Sequence, residues 1–398
     1  MQRALVRAAL SAALTGSACG AGVPGQELLD PQRIGALPTG ERAAWLTYLD
    51  ASRRGRARDS TVLDAELEAV AKEKPTPAPH ATGFVVEKHM TDAWFRSEEA
   101  RRTADAIVSF QTPAGGWSKR LQFTRPRRPG ETWASEGNWS WIGTFDNGAT
   151  TEQMRFLAGA FRARHDDRYR NAFIEGLEYI FLAQFPSGCW PQTYPLAGSY
   201  HDAATFNDDA IVNVLRLLQQ VARGDVGFVP EATRRRARAS MQRGVDCILA
   251  SQIVVAGRQT AWGQQHDPLN PAQPVQARAY EHPALAARES AGIVNFLLSL
   301  DSPGPRVERA VRDALAWFQV SAICGYEYVG RELASREGAG PLWARFYEIG
   351  TNRPLFSNRD GIKRYDFREV DPERRQGYAW YTDEPLTTLR RAAGPAPC

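Results

Sequence analysis

The sequence predicts a mainly α fold in which antiparallel helix pairs stack about a common centre, joined by long irregular loops with little β structure. Apolar residues recur at helical spacing in successive segments: Met154, Leu157, Ala158 and Phe161; Phe173, Leu177, Ile180 and Phe181; Ile211, Val214, Leu215, Leu218 and Val221. A helix-exit motif, Gln-x-Pro-x-Gly-x-Trp, occurs at 111–117 and again at 184–190, with a weaker copy from Gln252 to Trp262. No segment alternates long enough for a main sheet, and β-like pieces are expected only near 83–87 and 325–329.

In chain order, Arg3 and Arg7 precede a short apolar run, Ala8 to Leu14, and then small residues to Cys19, the pattern of a secretory signal over 1–19. That run is too short to span a bilayer. Gly16 stands where a lipoprotein site would carry Leu three residues before Cys19, so secretion or periplasmic export is expected in preference to lipid anchoring. Residues 20–80 read as an N-terminal helical arm and a Pro-rich linker, and 81–398 as the main domain. The segments 288–300 and 307–323 continue the helical habit, and stripes of this kind must cover one another.

The 398 residues allow a large single core, and a formal charge of +4 tolerates a polyanionic partner without requiring one. Beyond the leader lie Cys189, Cys247, Cys324 and Cys398, an even number that permits one or two disulfides in an oxidising compartment. Their wide spacing, without a Cys-x-x-Cys pair, does not suit zinc.

In the repeated motif Pro and Gly stop a helix and Trp folds back as an anchor, so by itself it specifies architecture. The segments just after the two copies carry more chemistry: Thr144-Phe-Asp-Asn-Gly-Ala149 in the first and Thr205-Phe-Asn-Asp-Asp-Ala210 in the second. Thr150 and Gln153 are placed to form a capping box, leaving Asp146 and Asn147 upstream. In the second cluster Asn207 can cap, with Asp208 and Asp209 in the first helical turn. Because the clusters occupy the same place in successive repeats, the expected role is a shared site for a hard cation, with calcium the leading candidate.

The last third is basic. Arg278 falls roughly where the third repeat should carry its acids, so that loop offers Arg in place of Asp. Arg345, Arg353 and Arg359 lie among aromatics and turn formers, a setting in which guanidinium holds carboxylates and rings stack on sugars. A solvated side chain or an ion pair, for example of Arg278 with Glu281, is the plain alternative, and it is the expected state of Arg364, Arg368, Arg374 and Arg375.

Gly115-Gly-Trp-Ser-Lys119, Thr144 to Gln153, Tyr200 to Ala210, Ala277-Arg-Ala-Tyr-Glu281 and the stretch from Arg345 to Gly361 together resemble the family 10 polysaccharide lyases, which are pectate lyases. The resemblance runs from about 81 to 384. It implies an incomplete (α/α) toroid that cleaves polygalacturonate by anti β-elimination with calcium. By motif, Asp146, Asp208 and Asp209 would serve the metal, and Arg278 would take the C5 proton. Lys119, Asn147, Arg345, Arg353 and Arg359 would bind substrate. The implied partner is polygalacturonate, met by a monomer without nucleic acid or membrane span. An arginine base, with an ordinary pKa above about 12, implies an alkaline optimum. Ser118, Arg120, Ala203, Ala204 and Ala286-Ala-Arg288 depart from the family pattern. A glycoside hydrolase using Asp146, Asp208 or Asp209, or a non-catalytic calcium-dependent uronate binder, are the competing readings.

Overall fold

The computed structural model describes residues 27–136, 142–394 and 396–398; the leader and Cys19 lie outside them. Nine longer helices organise the described residues: α1 Thr39–Ala69, α2 Glu98–Ser109, α3 Thr151–Arg164, α4 Asp167–Ala183, α5 Ala210–Arg223, α6 Glu231–Ser251, α7 Ala287–Leu297, α8 Pro305–Ser321 and α9 Glu384–Arg391. Helices α3, α5, α7 and α9 pack successively against one another as an inner layer, with α4, α6 and α8 outside them. The inner helices are buried nearly all round, as in α5, where Ile211, Val212, Val214, Leu215, Leu217 and Leu218 are inaccessible or nearly so. This is the expected (α/α) toroid, and among the described residues its strands form only two-stranded ladders.

The tryptophan motif closes each outer helix and stitches it to the next. Gln111 Nε2 donates to its own loop at Gly115 O (2.8 Å) and to Ala172 O of α4 (2.9 Å). Gln184 does the same to Gly188 O and Ser240 O of α6, and Gln252 to Thr260 O and Ala310 O of α8. The indoles of Trp117, Trp190 and Trp262 donate back to Ile107, Ile180 and Ile248 carbonyls at 2.7–2.8 Å. A fourth copy has lost its glutamine: Trp343 Nε1 donates to Phe318 O at 2.9 Å. All four indoles are fully buried, and truncating such a ring costs about 3–5 kcal/mol. Glycine is required at 188, where φ is +92° and a Cβ would stand 2.4 Å from Arg243 O of the neighbouring helix.

The strands join consecutive repeats into a ring of loops. Gly143–Thr144 pairs with Thr193–Tyr194, Ala204–Thr205 with Gln265–His266, and Leu285–Ala286 with Phe346–Tyr347. Each ladder thus couples the strand before one inner helix to the strand just past the next tryptophan. The β-like expectation holds at Tyr326–Val329, one arm of a hairpin with Glu332–Ser335, but 83–87 forms no strand.

The arm holds a short helix, Pro31–Gly35, and the long α1, which docks on the second repeat. Trp45 and Tyr48 of α1 pack on Phe185 with ring centroids 5.3 Å apart, and Tyr48 Oη donates to Ala183 O at 3.1 Å. Arg127 holds Glu66 through two hydrogen bonds (2.9 and 2.6 Å). Disulfides join Cys189 to Cys247 and Cys324 to Cys398, the first tying a tryptophan loop to α6 and the second tying the fourth such loop to the C-terminus.

Candidate active site

The repeat places one residue at a fixed point four times. Two residues past each tryptophan stand Lys119, Gln192, Gln264 and Arg345, and all four line one cleft at the N-terminal ends of the inner helices. The second set comes from the ladders. Thr144 N donates to Trp117 O, Thr205 N to Trp190 O and Ala286 N to Trp262 O, so Asp146, Asn207 and Arg288, each two residues on, are structural equivalents. The acid position of the third repeat is therefore Arg288. Arg278 comes instead from the connection between His266 and Leu285, a correction to the register read from sequence.

The acid loops are tight 3-10 turns with left-handed residues at corresponding points, Asn147 (φ 52°, ψ 35°) and Asp208 (φ 49°, ψ 36°). Asn and Asp tolerate this region better than other side-chain-bearing residues, and such strain concentrates at functional loops. It brings the two repeats face to face: Asn147 Nδ2 donates to Asp208 Oδ2 at 3.1 Å. The expected caps do not form. Thr150 has φ +67°, and its hydroxyl is spent on Trp117 and Thr144 backbone groups; the second helix starts after a left-handed Asp209, with no side-chain cap. Helix capping thus explains neither acid cluster.

Charges in the cleft are cross-linked. Lys119 Nζ donates to Asp146 Oδ2 at 2.6 Å, while the other oxygen of this buried carboxylate has no partner among the described residues. Arg288 Nη1 donates to Asp208 Oδ1 at 2.8 Å. Burial would raise the Asp208 pKa, but the Arg345 and Arg288 guanidiniums overcome it and hold this carboxyl below its ordinary value. Arg345, almost inaccessible, donates to Glu289 Oε1 at 2.6 Å and Asn207 Oδ1 at 3.0 Å. The Gln264 amide sits 2.6 Å from that same Asn207 oxygen.

Arg278 is clamped. Its Nε donates to Glu281 Oε2 at 2.6 Å, its Nη2 bonds the other oxygen, and the Tyr378 hydroxyl donates to Glu281 Oε1 at 2.8 Å. Its guanidinium also lies over the rings of Tyr280 (4.9 Å) and Tyr378 (5.6 Å). Desolvation alone would lower the Arg278 pKa, yet Glu281 outweighs it and pushes it above the usual arginine value.

The cleft has a volume of about 280 Å³ and combines Lys119, Arg120, Arg278, Arg331 and Arg345 with Asp146, Asp208 and Glu281, an excess of positive charge. Of the residues expected from sequence, it gathers Lys119, Asp146, Asn147, Asp208, Arg278 and Arg345. Three lie outside its lining. Asp209 faces α7, where a Cβ at Gly292 would collide with its Oδ1; desolvation raises its pKa to about 6. Arg353 lies over Tyr365 at 3.9 Å, and Arg359 pairs with Glu373 at the surface. Sequence reading missed Gln192, Gln264, Tyr378 and Arg331, the last at the tip of the 326–335 hairpin and, among the described residues, the cleft cation with no ion-pair partner. The offset from tryptophan would have found the two glutamines. A larger cavity of about 600 Å³ between α5, α6 and 300–307 is a poorer candidate, because its Asp301 and Asp246 are taken up by Arg223 and Arg306.

For a cation, the described residues offer no cluster of three or more His, Cys, Asp or Glu. They do offer the unpartnered Asp146 oxygen, with Asp208 and the Asn147 amide across the loop interface, an all-oxygen donor set that suits calcium if the substrate completes it.

Residues 111–388 match the family model described as pectic acid lyase. The solved family 10 polysaccharide lyase from Cellvibrio cellulosa shares 33% identity, covering 78% of this chain and 98% of that one at a TM-score of 0.67. An aspartate-to-alanine mutant of that enzyme, in complex with trigalacturonic acid, shares 33% identity over 76% of this chain and 95% of its own, also at 0.67. No curated protein sequence matches the chain. Fold, motif order and the match across most of its length together mean that this chain belongs to the pectic acid lyases, the family 10 polysaccharide lyases.

Proposed function

We propose that the chain is a pectate lyase that cleaves α-1,4-polygalacturonate by calcium-assisted anti β-elimination, leaving a 4,5-unsaturated uronate end. The observation that carries this is the placement of Arg278 in one cationic cleft with Asp146 and Asp208. A solved relative in complex with trigalacturonic acid supports a uronate ligand. The elimination removes the C5 proton, forms the C4–C5 double bond with those electrons, and expels the C4 oxygen, which then takes up a proton. Lys119, Arg345 and Arg331 would attract and orient the uronate carboxylates.

Asp146 and Asp208, with Asn147 between them, would hold calcium; when bound, it would withdraw charge from the uronate carboxylate and so acidify the C5 proton. Arg278 would accept that proton. To do so it must first lose its own, and Glu281 opposes the loss, so the active form is favoured only at alkaline pH. Two disulfides suit an oxidising compartment, in keeping with secretion towards an extracellular polymer.

The test is incubation with polygalacturonate and calcium at alkaline pH. Rising ultraviolet absorbance marks unsaturated ends and the lyase. New reducing ends without absorbance would mean hydrolysis, and retained binding with neither would mean a uronate-binding protein.

A further inference from the structure

Gln192 occupies the second of the four equivalent positions past the tryptophans, between the repeats that supply Lys119 and those that supply Gln264 and Arg345. Its backbone is fixed: its carbonyl accepts from Thr144 Oγ1 at 2.7 Å and from Phe145 N at 3.0 Å, immediately beside Asp146. Gln192 is only 6% exposed, it lines the cleft, and among the described residues its Oε1 is buried without a hydrogen-bond partner. Gln264, one repeat on, is by contrast engaged with Asn207.

A buried amide oxygen with no partner costs stability, and at the cleft wall a ligand can satisfy it. The ligand must answer an acceptor and a donor held side by side, without charge. A cation would use only the oxygen, and a carboxylate only the nitrogen; a sugar hydroxyl, which both donates and accepts, uses either end. We infer that Gln192 binds a hydroxyl of the galacturonate ring, reading the sugar itself while the lysine and arginine at equivalent positions read its carboxylates. This rests on the uronate reading of the cleft and adds to it a residue for the neutral part of the substrate.

The test is calorimetric titration of trigalacturonate into the whole protein and into Gln192→Leu and Gln192→Asn, at two salt concentrations, with Lys119→Met as the charged comparison. Both Gln192 variants should bind about tenfold more weakly, a loss of about 1.4 kcal/mol. The Leu variant should show no fall in Tm, since it removes an unsatisfied group. The loss should be the same at both salt concentrations, whereas that of Lys119→Met should shrink as salt screens it. Unchanged affinity in both variants, or a loss that shrinks with salt as Lys119→Met does, overturns the inference. If Leu misfolds, Asn alone decides by the same criteria. Failure of the unaltered protein to bind trigalacturonate would instead overturn the uronate reading, and this inference with it.

Discussion

Arg278 and Glu281 form a clamp in which the carboxylate takes the guanidinium from the side, through Nε at 2.6 Å, while Tyr378 fixes the same carboxylate at 2.8 Å. The clamp orients Arg278 in the cleft and also holds its proton. If Arg278 is the proposed base, it must give up that proton first, so activity should rise with pH, and the position of that acidic limb should depend on Glu281.

Glu281→Gln keeps the shape and the acceptor for Tyr378 but removes the charge that raises the Arg278 pKa. The acidic limb of the kcat profile should therefore move to lower pH by at least about one unit. Arg278→Ala should lower kcat by more than about 100-fold, in the range of a lost general base. Full activity in Arg278→Ala would remove Arg278 from the chemistry.

A cation held as proposed at Asp146 would compete with Lys119 for it. With Lys119 Nζ 2.6 Å from one oxygen and the other unpartnered, Asp146→Ala should weaken calcium binding in the presence of trigalacturonate by at least about tenfold. Lys119→Met should strengthen it, by removing the rival charge, while weakening uronate binding. Calorimetry separates the two effects. Chelation should abolish turnover, and a rate indifferent to chelator would rule out the cation.

Arg345 and Arg353 look alike in sequence and should differ widely in effect. Arg345 is buried on Glu289, so Arg345→Ala leaves an uncompensated carboxylate and should cost about 3–5 kcal/mol in denaturant unfolding. Arg353 lies over Tyr365 outside the cleft lining; Arg353→Ala should cost about 1 kcal/mol or less and leave kcat unchanged.

These contrasts mark how far the sequence could be read. Helix stripes and the Gln-to-Trp motif are local, so the layered helices, the acid loops and the third, weaker motif were all legible. The fourth motif was hidden because its glutamine is missing and a hairpin separates Phe318 from Trp343. Register across repeats was lost for a related reason: the connections differ in length, the one carrying Arg278 being longer than that of the second repeat, and the backbone bond from Ala286 N to Trp262 O shows that Arg288 holds the equivalent place. Asp209 beside Asp208 could not be sorted by spacing, because two successive left-handed residues send the neighbouring acids to opposite sides, one to the cleft and one to Gly292.

The arm carries a buried acid whose titration should show in stability. Asp59 of α1 is fully buried, and its weak partners, the Arg58 guanidinium with Nε at 3.5 Å and the Ala114 backbone, do not offset the loss of water. Desolvation raises its pKa to about 7, against an ordinary value of 3.8. Between these two values the folded protein keeps the proton and the unfolded chain does not, so stability falls as pH rises from about 4 to about 7 and then levels. Asp59→Asn removes the ionisation. It should raise Tm at pH 9, where the wild-type carboxylate is charged and buried, and have a much smaller effect at pH 4, where both side chains are neutral. A stabilisation equal at the two pH values would mean that packing, and not the buried charge, sets the cost of docking the arm. A loss of Tm at pH 9 would mean that the carboxylate is paired in solution.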